Sequence, residues 1–127
     1  MRLMVTIVIY FAFVGGGFSQ EAKTGDIVGS GATSCAEFAK AYRNDPIGAM
    51  GSYLSWAQGY MTAINFARLS LKSRTPNLGG QTRNLSAWSI SEQSARLRMF
   101  CDQRPLASFF EAAQDLFEAM PFMPQSN

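Results

Sequence analysis

The sequence predicts an all-α protein, a small four-helix bundle closed by one disulfide. Apolar residues recur at helical spacing in four segments, and no useful stretch shows the alternation of a strand. Segments rich in Pro, Gly and polar residues separate the four. Two cysteines lie in a chain that begins with an export signal.

The export signal occupies residues 1–19. Arg2 supplies a positive charge, residues 3–14 form an apolar run, and Gly17 and Ser19 are small residues at the positions expected before a cleavage site. The run is shorter than the roughly 20 apolar residues of a spanning helix, so cleavage is favoured over an uncleaved anchor. We therefore expect an exported, periplasmic protein with no stable membrane anchor after cleavage.

The mature chain is close to neutral. Without Arg2, ten basic residues stand against nine acidic ones, a balance that does not suit a nucleic-acid partner. The basic residues of its middle part are interpreted as a solvated face: Arg68, Lys72, Arg74, Arg83, Arg96 and Arg98.

Cys35 and Cys101 are the only cysteines. An even number in an exported protein indicates a disulfide, and two cysteines allow a single intramolecular pairing. The alternatives are two free thiols or an intermolecular bridge. An intramolecular bridge would stabilise the fold by roughly 4 kcal/mol in the chain-entropy model.

Residues 20–33 are Gly-rich and are predicted to form a flexible leader without a fold of its own. The helical domain covers residues 34–121. Its first helix begins at Ser34, which has capping-box spacing to Glu37, and ends at Asn44-Asp45-Pro46.

A second helix is predicted from about residue 50 to 72, with an apolar stripe beside an aromatic one. Gly59 lies in its middle, at a cost of about 1 kcal/mol relative to Ala. Close approach of another helix is the favoured explanation for Gly59, and a kink is the alternative.

The third helix begins by Ser89, again with capping-box spacing to Glu92. Pro105 is predicted to occupy the first position of the fourth helix, where its missing N–H is not needed. Residues 122–127 form a tail beyond the fold.

Catalytic groups are scarce. The chain has no His, which excludes Ser-His-Asp and Cys-His catalysis and removes the commonest metal ligand. A disulfide would leave no thiolate, and the carboxylates fall mainly on polar helix faces. We expect a protein that is not an enzyme and has neither metal nor cofactor.

Two segments carry a resemblance to a known family. Residues 56–65 read WAQGYMTAIN and residues 97–106 read LRMFCDQRPL; a third, shorter segment, SCAEF, opens the domain at Ser34. Together they resemble small exported bacterial proteins of HdeA-like type, which share an early Cys, a W-x-x-G-aromatic helix and a second Cys shortly before a Pro. The similarity spans about residues 34–120.

This resemblance implies a periplasmic protein that binds other proteins, and it allows a homodimer. The HdeA/HdeB acid-stress chaperones hold unfolded clients; the similar Tai-type immunity proteins inhibit one secreted amidase toxin but often carry more cysteines than this chain. Trp56, Tyr60 and Asn65 are the candidate partner-binding residues. The alternative for each is structural: packing for the two aromatic rings, and a polar position at the edge of the buried stripe for Asn65.

Overall fold

The structure is a computed structural model that describes residues 25–77 and 79–124. The predicted signal peptide, residues 20–24 of the predicted leader and the last three residues of the predicted tail lie outside the described residues.

Four helices build the described part of the chain, which confirms the predicted fold class. They are α1 (Cys35–Asn44), α2 (Pro46–Arg74), α3 (Ile90–Gln103) and α4 (Phe109–Ala119). The described residues form no strand, only two isolated bridges between extended residues. Within the described segments, no helix is both long and apolar enough to cross a membrane.

Capping boxes fix the start of three helices. Ser34 and Glu37 satisfy each other's backbone N–H groups at α1, and Ser89 and Glu92 do the same at α3, as predicted. A third box, formed by Ser108 and Glu111, begins α4.

The start predicted for α4 was therefore wrong. Pro105 lies in a turn before the helix, and its carbonyl accepts a hydrogen bond from Ala36 N at 3.0 Å. The carbonyl of Ala107 accepts one from Cys35 N at 2.8 Å. The turn thus satisfies N–H groups at the start of α1 that have no partner within that helix.

The second helix begins four residues earlier than predicted. Asp45 caps it by accepting a hydrogen bond from Gly48 N at 3.0 Å, and Pro46 occupies its first turn. The same Asn-Asp-Pro sequence that ends α1 therefore starts α2.

A disulfide between Cys35 and Cys101 joins the first residue of α1 to the last turn of α3, as predicted. Both cysteines are buried in one hydrophobic core. Its largest members, all fully buried, come from all four helices and from the residue that follows α4: Phe38, Met61, Leu97, Phe109, Leu116 and Met120.

Both segments that flank the predicted domain belong to the fold where they are described. Gly29–Ala32 forms a 3-10 turn that contacts α2 and α4, so the prediction of a leader with no fold of its own was wrong for these residues. Phe122, assigned to the tail, forms an antiparallel bridge with Arg83. Sequence patterns missed both because the contacts join residues far apart in the chain.

The prediction that Gly59 contacts another helix was also wrong. Gly59 is exposed, and a Cβ atom placed on it would meet no atom of the described residues within 4 Å apart from its chain neighbours and the backbone of its own helix. It lies on the outer face of α2, opposite the side that carries the buried Ala57 and Met61.

Candidate interaction surface

The predicted site residue Trp56 is held between the 3-10 turn and the core. Its indole Nε1 donates a hydrogen bond to the carbonyl of Val28 at 2.9 Å. Gly31 lies so close to the indole ring that a Cβ atom at this position would overlap it. The ring of Tyr60, one helical turn further on, stacks on Trp56 with 5.8 Å between centroids.

Tyr60 forms the outer part of this aromatic cluster. Its ring meets Phe110 of α4 edge to face at 5.1 Å, and it is half-buried. Burial raises the pKa of its phenol, and the nearby charge of Glu118 raises it further, against the opposing effect of Arg68. Tyr60 thus presents a neutral, partly exposed phenol at neutral pH.

Asn65 binds the loop after α2. Its Nδ2 donates to the carbonyl of Arg83 at 2.8 Å, and its Oδ1 accepts from Arg83 N at 2.9 Å. Both polar atoms of the Asn65 amide therefore bind within the chain. This favours a structural role for Asn65 over direct binding of a partner.

Sequence reasoning missed the role of Arg83, which it had placed on a solvated face. The guanidinium lies over the ring of Phe122, 3.8 Å from its centroid, and its Nη1 donates to the carbonyl of Met120 at 2.9 Å. Its Nε is buried without a hydrogen-bond partner in the described part of the chain. No local signal could have found this, because Phe122 is 39 residues away.

These contacts hold two extended segments, residues 80–84 and 120–124, beside the last turns of α2. Arg68 contributes by donating to the carbonyl of Gln81 at 2.9 Å while it covers the ring of Phe117. Met123 N donates to the carbonyl of Thr82 at 2.9 Å and joins the two segments.

A groove of about 120 Å³ lies between α2 and these segments. Leu69 and Lys72 line it from the helix, and Thr82 and Met123 line it from the two segments. Leu69 is 55% exposed and Met123 46%, although both are apolar. We call this feature, lined by residues 69, 72, 80–82, 123 and 124, the α2 groove.

Among the described residues, no group of three His, Cys, Asp or Glu side chains could hold a metal ion. The disulfide is buried, and a salt bridge joins Arg96 to Asp115 at 2.8 Å.

Trp56 and Tyr60 therefore form one cluster, whereas Asn65 lies further along α2 and organises the loop beside the α2 groove.

The chain matches no protein-family model, no curated protein and no solved structure.

Proposed function

We propose that this chain is an exported, periplasmic, non-enzymatic protein that binds other proteins, of HdeA-like type. The observation that carries the proposal is a group of large apolar side chains that stay exposed on a folded, disulfide-closed bundle. Phe66 and Leu69 are neighbours on the surface of α2, and Met123 lines the α2 groove together with Leu69. Large apolar side chains scattered singly over a surface are normal, but neighbouring ones mark an interaction site. The signal sequence of residues 1–19, the disulfide and the lack of His agree with this role.

The first role we propose is an acid-stress chaperone that holds unfolded clients. Three helix starts depend on glutamates, and the salt bridge between α3 and α4 depends on Asp115. Protonation of these carboxylates would weaken all four sites and leave ten basic groups of the mature chain unopposed. The loosened bundle would expose Met and Phe side chains of the core, and Met adapts readily to varied partners.

Aggregation of a client enzyme at about pH 3 and pH 7, with and without the protein, tests this role. These two pH values lie on either side of the ordinary carboxylate pKa, which is near 4. We expect protection at the acid pH only. Clients that aggregate equally with and without the protein at both pH values would refute the chaperone role.

The second role is that of an immunity-type inhibitor of a secreted amidase toxin. It is favoured by the same exposed side chains, because a specific inhibitor needs a surface that is already formed at neutral pH. Tight binding to one secreted amidase at pH 7, with loss of its activity, would establish this role over the first.

A further inference from the structure

The last turns of α2 extend beyond the core of the bundle. Ala57, Ile64 and Leu71 are seven residues apart and therefore lie on the same side of this helix. Ala57 is fully buried and Ile64 packs against the core, but Leu71 is 49% exposed. The core side of the helix is thus covered as far as Ile64 and open at Leu71.

Exposed apolar side chains gather around this helix end. Ten large apolar residues of the described segments are exposed, and half of them belong to the last turns of α2 or to residues 121–124: Phe66, Leu69, Leu71, Phe122 and Met123. Phe66 and Leu71 are five residues apart, or about 140° apart around the helix axis, so the apolar groups surround the helix end. We call residues 66–74, 80–83 and 121–124 the α2 tip.

The segments that build the α2 tip carry no negative side chain. No Asp or Glu occurs in residues 46–91 or 119–124, and the charge of Glu118 acts on the phenol of Tyr60, further back along α2. The tip carries four cations: Arg68, Arg83, Lys72 and Arg74. The first two bind backbone carbonyls and cover aromatic rings. The other two, in the last turn of α2, are exposed and form no salt bridge with any described residue.

We infer that the α2 tip is a reversible contact site for the surface of a bilayer that contains anionic phospholipids. Phe66, Leu69 and Leu71 enter the boundary between headgroups and acyl chains, and Lys72 and Arg74 pair with lipid phosphates. Binding of this kind grows with the apolar area that is buried and with the attraction between basic side chains and anionic lipids. The α2 tip offers both on one projecting helix end.

A bilayer suits this surface better than a protein or a nucleic acid does. The apolar groups lie around a convex helix end, whereas the anchors of a protein interface fill closely matched pockets. A fluid bilayer needs no such match, and the long stems of Lys72 and Arg74 can lie along apolar lipid while their charged ends reach the phosphates. Two available cations give little of the phosphate neutralisation that nucleic-acid binding needs.

The lipid contact goes beyond the proposed binding of proteins. In the chaperone role, clients bind core side chains that acid exposes, whereas the α2 tip is formed in the folded bundle. The test mixes the mature protein at pH 7 with sedimentable vesicles of phosphatidylcholine, or of phosphatidylcholine and phosphatidylglycerol in equal parts. We expect sedimentation with the anionic vesicles only, and release at about 1 M salt, where the Debye length is about 3 Å.

Charge variants locate the contact on the protein. Lys72→Gln and Arg74→Gln should each weaken vesicle binding by about fivefold, the contribution of one basic residue near an anionic bilayer. The control is the double variant Lys40→Gln, Arg43→Gln, which removes two exposed charges from α1 and has the same net charge as the double variant of the tip. This control should bind the vesicles as the parent protein does.

Apolar variants test whether the tip enters the lipid. Phe66→Ser and Leu71→Ser should each weaken binding by about threefold or more, because less apolar area is buried. Leu106→Ser is the matched control, since Leu106 is fully exposed in the turn before α4, and it should leave binding unchanged. Lipids with a spin label on the acyl chain should broaden the amide signals of residues 66–74 and 121–124, but not those of α1.

Three outcomes would overturn the inference. They are failure to bind the anionic vesicles, equal weakening by the α1 control and the tip variants, and binding of soluble poly-glutamate as tight as that of the vesicles. The last would identify an acidic polypeptide as the occupant. The client and amidase assays contain no lipid, so they decide the proposed function separately. Client protection without vesicle binding would overturn the lipid contact alone, and vesicle binding without either protein-binding activity would support the contact and refute the proposed roles.

Discussion

Asn65 holds the backbone of Arg83 through both atoms of its side-chain amide, at 2.8 and 2.9 Å. The pair resembles one rung of a sheet ladder, with a helix side chain replacing the second strand. It fixes the residue whose guanidinium binds the end of α4 and the ring of Phe122. One amide on α2 therefore sets the position of both segments that border the α2 groove.

Replacement of Asn65 by Ala should lower the free energy of unfolding by about 1–3 kcal/mol, because two hydrogen bonds are lost and half-buried backbone groups of Arg83 are left without partners. Chemical denaturation measures the change. Asn44→Ala, at the exposed end of α1, is the control and should stay within about 0.5 kcal/mol of the parent. Equal stability of the two variants would show that the amide pair contributes nothing.

Two glycines give opposite predictions for the same substitution. Gly31→Ala should destabilise the protein by about 1–3 kcal/mol, because the new methyl group must displace the indole of Trp56. A shift in tryptophan fluorescence should accompany the loss, since Trp56 would lose its bond to Val28.

Gly59→Ala should instead stabilise the protein by up to about 1 kcal/mol, because the site is open and Ala is the better helix former. Thermal unfolding of both variants beside the parent checks the pair. A lower melting temperature for Gly59→Ala would instead support the original prediction that another helix packs closely against Gly59.

The contrast between these glycines shows what the sequence could and could not predict. Gly59 interrupts a visible helical pattern, so its presence demanded an explanation, but periodicity alone did not show which face was covered. Gly31 lies in a Gly-rich stretch that looks like a linker. Its contact depends on the orientation of Trp56, 25 residues away, and no local pattern encodes that.

Sequence patterns, by comparison, predicted the structure correctly where the interacting residues lie close together in the chain. The boxes at Ser34 and Ser89 each need only a glutamate three residues on, so their spacing is sufficient. Ser108 has the same signal three residues before Glu111, but the sequence prediction began the helix at Pro105 and did not use this signal. Of the candidate site, the aromatic cluster was visible as a helical stripe, whereas the α2 groove required contacts between the loop and the last described residues.

The disulfide should account for a large part of the stability. It closes a loop with a sequence separation of 66 residues, for which the chain-entropy model gives roughly 4 kcal/mol. The double variant Cys35→Ala, Cys101→Ala should lose about this amount in chemical denaturation, plus a contribution from the small cavity left in the core.

A second measurement tests directly whether the bridge between the two cysteines is present. The native protein should show no thiol that reacts with an alkylating reagent, and unreduced peptides should show the link between Cys35 and Cys101 by mass spectrometry. Two alkylated thiols in the folded protein would contradict the intramolecular bridge.

The last prediction concerns acid. Backbone and side-chain hydrogen bonds from Ser34 lower the pKa of Glu37, and side-chain and backbone hydrogen bonds from Ser89 lower the pKa of Glu92. A carboxylate whose pKa is lower in the fold stabilises the protein above its unfolded pKa, and this stabilisation is lost as the pH falls through the folded pKa. Because the chain has no His, no side chain with an ordinary pKa titrates between pH 5 and 8. We therefore expect nearly constant stability from about pH 6 to 8 and a loss below about pH 4.

Glu37→Gln and Glu92→Gln keep an acceptor for the Ser N–H but cannot titrate, so each should flatten the decline of unfolding free energy between about pH 5 and 2. Carboxyl ¹³C titrations identify the groups directly: both glutamates should titrate below the ordinary value of 4.5. Values at or above it, or an unchanged pH profile in both variants, would remove the capping boxes from the acid response and leave it to the remaining carboxylates.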